Sequence, residues 1–102
     1  MALPSRSIFT IKFLLDLGAK VNVSNPITKE TPLHIVARLG RPLYVKLLLQ
    51  YGADIRAKNM DEMTPLDVAR GVETCYWLFK AEYPSYSKKK LEKLVQMFAS
   101  FK

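Results

Sequence analysis

A four-residue motif occurs twice in this chain, and its spacing restricts the fold more than any other feature. Thr31–His34 (TPLH) is followed 33 residues later, in the same register, by Thr64–Asp67 (TPLD). A period of this length is typical of stacked repeats, in which one unit cannot bury its apolar face alone. We therefore expect neighbouring units to share a continuous core.

The segment Thr31–Asn59 carries further positions that recur in one known family. Besides the TPLH motif these are Ala37, Gly40, Val45, the Leu47–Leu49 run and Gly52–Asp54. On these residues the chain resembles ankyrin-repeat proteins. The resemblance implies an all-α fold, a solenoid of antiparallel helix pairs joined by hairpin loops. It also implies a non-catalytic scaffold or adaptor that binds partner proteins.

The repeat register divides a single domain, residues 1–102, into four parts. We expect a partial first repeat over 7–30, a complete repeat over 31–63, a divergent last repeat over 64–84 and a C-terminal capping helix over 85–102. Shifting the central repeat back by 34 residues aligns 52–57 with 18–23, so the chain begins with an outer helix that lacks its inner helix. Either residues 1–7 cap that helix, or another group covers it, or the chain is a fragment of a longer protein.

Capping residues and apolar spacing predict six helices. Ser7 can cap a first helix over Ile8–Leu17. In the central repeat, an inner helix follows Thr31 and ends at Gly40, and an outer helix opens at Pro42 and ends at Gly52. The other predicted helices are Pro65–Arg70, Glu73–Glu82 and Ser87–Phe101, the last with an apolar stripe at Leu91, Leu94, Val95, Phe98 and Phe101.

Composition is that of an ordinary globular domain, with 49% hydrophobic and 25% charged residues. Cys75 is the only cysteine, so an intrachain disulfide is excluded and an intracellular location, cytoplasmic or nuclear, is expected. No apolar run approaches the roughly 20 residues of a membrane span. Lys12 and Asp16 interrupt and end the apolar N-terminal stretch, which argues against a secretory signal.

The residue types that catalysis or metal binding needs are sparse. His34 is the only histidine, so neither a catalytic dyad nor a multi-ligand metal site is visible. Cys75 lies among aromatic residues and is interpreted as a buried apolar group. Gly40, Gly52 and Gly71 stand singly, which does not make a phosphate-binding loop. We expect no enzyme activity, cofactor or metal. The family resemblance instead gives His34 a structural role, hydrogen-bonding backbone and threonine groups between repeats.

The resemblance also locates a protein-binding surface on the hairpin tips and the exposed side of the inner helices. The corresponding positions are Thr28, Lys29, Glu30, Arg38, Leu39, Tyr51, Met60, Asp61, Glu62 and Met63. The four apolar or aromatic members have no evident core role, and such exposed side chains are what binding hot spots use. Taken singly, each is equally well explained as an ordinary exposed apolar residue without a binding role.

The charge distribution supports an alternative, electrostatic function. The net charge is +7, and from Lys80 onward six lysines face only two glutamates. Four of them form a basic patch at the start of the last predicted helix, where positive charge opposes the helix dipole: Lys88, Lys89, Lys90 and Lys93. Such a patch can bind nucleic acid or an anionic membrane. A charge run at a helix start is more often a solvated face.

Three further hypotheses concern smaller features. Asn22 occupies the hairpin position at which ankyrin-repeat proteins can be hydroxylated, with Lys20 in place of the acidic residue usual there. The N-terminal edge, where Ile8, Ile11 and Leu15 lack a covering helix, predicts self-association. The chain could also belong to an ankyrin-type substrate receptor of a ubiquitin ligase, but its last helix lacks the small-residue, leucine and cysteine pattern of those adaptors.

Overall fold

A computed structural model describes residues 12–13 and 15–100, and all regular structure in these ranges is α-helical, as predicted. The helices are α1 (Pro32–Arg38), α2 (Pro42–Gln50), α3 (Pro65–Val68), α4 (Val72–Glu82) and α5 (Lys88–Ser100). Residues 12–13 and 15–16 are also helical, and the Leu17 amide donates to the Phe13 carbonyl at 3.1 Å. The remainder of the predicted helix Ile8–Leu17 lies outside the described residues. Within the described ranges, every helix is too short or too polar to cross a bilayer.

The helices α1 and α3, which are the inner helices of the two repeats, begin with the same N-terminal capping arrangement. The Thr31 hydroxyl accepts a hydrogen bond from the His34 amide at 3.4 Å, and the Thr64 hydroxyl accepts one from the Asp67 amide at 3.3 Å. In return, the side chains of His34 and Asp67 each bond the amide of their threonine, which completes a capping box. The following proline has no amide hydrogen to leave unpaired at this position. The recurring motif is therefore a helix start repeated in register.

The helices form two layers. α1 and α3 are neighbours in the inner layer, α2 and α4 are neighbours in the outer layer, and each inner helix packs on its own outer helix. The buried apolar residues of these helices and the turn after α3 are Leu33, Val36, Ala37, Tyr44, Val45, Leu47, Leu48, Ala69, Cys75, Leu78 and Phe79. Burying one large apolar side chain contributes about 1.5–3 kcal/mol. The core shared between repeats thus supplies stability that one repeat lacks.

The turn between α1 and α2 needs glycine because two backbones meet there. Gly40 has φ +68°, and a Cβ at this position would lie 3.2 Å from the Arg70 carbonyl oxygen. The Arg70 amide donates to the Ala37 carbonyl at 3.0 Å. Gly40 therefore permits the close approach of the two repeats.

The last repeat departs from the predicted helix bounds. α3 ends at Val68 and not at Arg70, because Ala69 adopts an extended backbone conformation with ψ 144°. This turn directs the Arg70 amide across to α1 instead of along its own helix. α4 begins at Val72, one residue before the predicted start at Glu73.

α5 covers the outer helix α4 at the C-terminal end of the stack. The Ser87 hydroxyl accepts a hydrogen bond from the Lys90 amide at 3.2 Å and caps the helix. The buried residues of α5 are Leu91 and Val95. The predicted helix Ser87–Phe101 is observed as Lys88–Ser100, and residues 101–102 lie outside the described part of the chain.

Candidate protein-recognition surface

Two asparagines shape the hairpin loops that carry most of the predicted contact residues. The Asn25 side-chain oxygen accepts hydrogen bonds from the amides two and three residues ahead, at 2.8 and 3.1 Å. The Asn59 side-chain oxygen accepts from the amides two and four residues ahead, at 2.9 and 3.1 Å. Such side-chain turns fix a loop without a backbone ladder. Sequence analysis did not single out Asn59, although its recurrence 34 residues after Asn25 was a usable signal.

Each hairpin also turns through a residue in the left-handed backbone region. Lys29 has φ +61° and Glu62 has φ +63°. This conformation costs a residue other than glycine about 1–2 kcal/mol. The turn hydrogen bonds offset that cost: the Lys29 amide donates to the Asn25 carbonyl at 2.7 Å, and the Glu62 amide donates to the Asn59 carbonyl at 3.0 Å.

The fully buried His34 ties the two hairpins together. Its Nε2 donates to the Met63 carbonyl at 2.8 Å, since a carbonyl can only accept. Its Nδ1 is then the acceptor for the Thr31 hydroxyl, at 2.9 Å. The Met60 amide adds a direct hairpin-to-hairpin bond to the Thr28 carbonyl at 2.8 Å. The structural role expected for His34 is confirmed, and Thr28 contributes its backbone to the same link.

Glu30 and Arg38, both predicted partner contacts, form an ion pair with each other. The Glu30 carboxylate accepts two hydrogen bonds from the Arg38 guanidinium, one of them at 2.7 Å, and a third from the Asn59 side chain at 3.2 Å. The guanidinium lowers the pKa of Glu30, against the opposing effect of burial, and the carboxylate raises the pKa of Arg38. This network joins the first hairpin to α1 and to the second hairpin.

Apolar side chains stand exposed around that network. Met60 is 60% exposed, and Leu39 and Met63 are exposed as well. Asp61, which follows Met60 in the second hairpin, adds an exposed carboxylate. Ile27 at the first hairpin tip and Ile35 on α1 are also exposed, although sequence analysis did not select them. The signal for Ile35 was its spacing of four residues from Leu39, which places both on one side of α1.

Tyr51 lies at the end of the outer helix α2, as predicted, and its side chain bonds the preceding helical segment. Its hydroxyl donates to the Asp16 carboxylate, which also accepts from Lys12 Nζ at 3.0 Å. Tyr51 is the C-cap of the outer helix α2, and Asp16 belongs to the preceding helical segment. The hydroxyl and Lys12 lower the pKa of Asp16, and the bond to Asp16 raises the pKa of Tyr51. Tyr51 therefore links successive outer helices.

All four lysines of the predicted basic patch are exposed, and two of them lie against neighbouring groups. Lys90 Nζ lies 4.0 Å from the ring centroid of Tyr86 and is engaged in a cation–π contact. Lys88 lines a cleft between α4 and α5. Two residues apart on a helix, the two side chains point about 200° from each other. Lys89 and Lys93 are exposed.

Asn22, the candidate for hydroxylation, uses both ends of its amide. Its Nδ2 donates to the Gly52 carbonyl at 3.1 Å, and its Oδ1 accepts from the Asp54 amide at 2.8 Å. The residue remains exposed, and its hydroxylation stays a prediction. At the N-terminal edge, Leu15 is half-buried against the core, while Ile8 and Ile11 lie outside the described residues. Within the described ranges, no three metal-ligating side chains come together.

Stacked helix pairs with hydrogen-bonded hairpins define a helical-repeat solenoid. A family profile described as ankyrin repeats, in three copies, matches residues 1–90. The chain belongs to the ankyrin-repeat family, which confirms the resemblance found in the sequence. Ankyrin repeats generally act as protein-interaction modules without a catalytic role.

The similar proteins are much longer than this chain. ARF GTPase-activating protein GIT1 of Homo sapiens is 44% identical over 57 residues, 56% of this chain and 8% of that protein. The BTB/POZ domain and ankyrin repeat-containing protein COCH of Pisum sativum is 42% identical over 84 residues, 81% of this chain and 17% of that protein. NOOT1 of Medicago truncatula, of the same description, is 43% identical over 75 residues, 72% of this chain and 15% of that protein. The chain spans less than a fifth of each relative.

Proposed function

We propose that this chain binds a partner protein across its hairpin tips and the exposed side of α1. The observation that carries the proposal is the exposure of Leu39, Met60 and Met63 around a hydrogen-bonded support of Glu30, Arg38 and Asn59. Apolar side chains on an ordered backbone suit a hot spot, because little ordering entropy remains to be lost on binding. Methionine adds a flexible, polarisable contact that adapts to the partner.

A comparison of two matched triple variants tests the proposal. The surface variant carries Leu39→Ala, Met60→Ala and Met63→Ala. The control carries Leu43→Ala, Leu17→Ala and Met97→Ala; Met97 is 60% exposed, like Met60, but lies on α5. Each variant loses three exposed apolar side chains, so nonspecific hydrophobic binding should fall to a similar extent in both.

Proteins captured from cell extract by the immobilised wild type are quantified beside those captured by each variant. We expect the surface variant to lose its main partner by about tenfold or more, the effect of about 1.4 kcal/mol. The control should keep it. Equal capture by all three chains, or equal loss from both variants, contradicts the proposal.

A second candidate function, the binding of anionic ligands, is supported by one observation. Lys89 and Lys93 are exposed, and within the described residues neither has an ion-pair partner. Binding of single-stranded DNA or phosphatidylserine vesicles should then weaken steeply between low and physiological salt. A Lys89→Gln/Lys93→Gln variant should reduce it, and a variant that binds as well as wild type rules this function out.

A further inference from the structure

A cleft of about 470 Å³ lies between α4 and α5, on a different part of the molecule from the hairpin tips. Its apolar walls come from Val72, Tyr76 and Trp77 on α4 and from Val95 on α5. Val72 is half exposed at the mouth, so the cleft opens to solvent. A space of this size, lined by aromatic and branched side chains, can take one or two bulky apolar side chains.

The charged lining of the cleft differs from the rest of this basic chain. Glu73 on α4 and Glu92 on α5 line it, with Lys88 as the one cationic lining residue. In the part of the chain that the structure describes, neither carboxylate has an ion-pair partner within 4.0 Å. Among the other acidic side chains of the described chain, four are paired with a basic side chain (Asp16, Glu30, Glu62 and Glu82), and three are not (Asp54, Asp61 and Asp67). A protein of net charge +7 thus keeps two unpaired carboxylates beside one apolar cleft.

Two further lysines lie close to the cleft wall without lining it. Lys46 Nζ and Lys80 Nζ lie 4.7 and 5.3 Å from the ring centroid of Trp77. Both are engaged in cation–π contacts with the indole. Both lysines keep their positive charge in these contacts. Among the residues that line the cleft, two carboxylates stand beside one ammonium group.

We propose that this cleft binds a basic, apolar segment of a partner protein, independently of the hairpin surface. A bulky apolar side chain of the segment enters between Val72 and Val95. A lysine or arginine about one helical turn away reaches Glu73 or Glu92, and the exposed part of Tyr76 offers it an aromatic ring. An acidic segment would instead bring its carboxylates against both glutamates.

Trp77 is the only tryptophan in the chain, so its fluorescence reports on this cleft. The probe is a synthetic helix-forming peptide of about 15 residues with leucines and lysines on one face and no aromatic residue. One control peptide has every lysine replaced by glutamate, and the other has every leucine replaced by serine. We expect a saturable change in Trp77 emission with the first peptide only, retained at physiological salt. Absence of that change, or an equal change with the glutamate peptide, overturns the proposal.

Matched variants of the protein locate the contact. Glu73→Gln/Glu92→Gln should weaken binding of the lysine peptide about 3- to 20-fold, the range for two partly exposed ion pairs. Asp61→Asn, which removes an exposed carboxylate on the second hairpin, should leave it unchanged. Glu73→Lys/Glu92→Lys should shift the preference to the glutamate peptide. Unchanged affinity in the Gln variant, or equal weakening by Asp61→Asn, overturns the assignment to this cleft.

Discussion

Truncation of Leu48 tests the shared core most directly. Leu48 lies in the middle of the outer helix α2, is 5% exposed, and belongs to the cluster that joins α1, α2 and α4. Removing a buried leucine side chain costs about 2–5 kcal/mol, because burial is lost and a cavity remains. A domain of this length has about 5–15 kcal/mol of stability in total. Leu48→Ala should therefore lower the melting temperature by about 8–40 °C, at about 4–8 °C per kcal/mol, and Leu47→Ala should act similarly.

The control comes from the same helix. Leu43 is 63% exposed, so Leu43→Ala makes the same chemical change and the same change in helix propensity without loss of core. Its effect should stay within about 0.5 kcal/mol. Thermal unfolding followed by far-UV circular dichroism gives both values under identical conditions. If Leu48→Ala melts within a few degrees of Leu43→Ala, α2 does not pack between neighbouring repeats, and the repeat assignment is refuted.

Three other predictions follow from the same contacts. Deletion of residues 87–102 uncovers α4 and should cause aggregation, seen by light scattering, whereas a soluble monomer of unchanged stability would show that α5 is not a cap. Lys29→Gly relieves the left-handed turn and should stabilise by up to about 1 kcal/mol in urea unfolding, while Lys29→Ala should not. Glu30→Gln should destabilise by about 1–2 kcal/mol at pH 7. Because Arg38 lowers the folded pKa of Glu30, wild-type stability from this pair is complete above the ordinary value of 4.5 and is lost as pH falls through the folded pKa, so the two chains should converge in acid.

The central repeat could be predicted from sequence because its signals are local. Thr31 and Pro32 start α1 through their own side chains, without help from distant parts of the chain. Gly40 lets the chain leave α1 because glycine readily adopts a positive φ. The helix α5 is equally local, since its stripe repeats at helical spacing and Ser87 caps it. Such signals need no knowledge of distant neighbours.

The missed features depend on residues far apart in the chain. Nothing near Ala69 forbids a longer α3, but the Arg70 amide finds the Ala37 carbonyl of the preceding repeat instead. Tyr51 looked free because its partner, Asp16, lies 35 residues earlier.

The predicted contact residues divide into two physical groups, and the division has consequences for mutagenesis. The side chains of Glu30 and Arg38 and the Thr28 carbonyl connect the hairpins and α1. Removing their hydrogen bonds therefore changes the positions of the neighbouring side chains. Met60 and Leu39 contribute little to the fold because much of each side chain is already in water. A loss of binding after a Glu30 substitution therefore mixes stability with contact, whereas a loss after Met60→Ala at unchanged melting temperature reports contact alone. Recognition on this short stack should consequently be mapped from its exposed apolar residues first, with the ion pair used to measure how far the hairpin positions depend on the core.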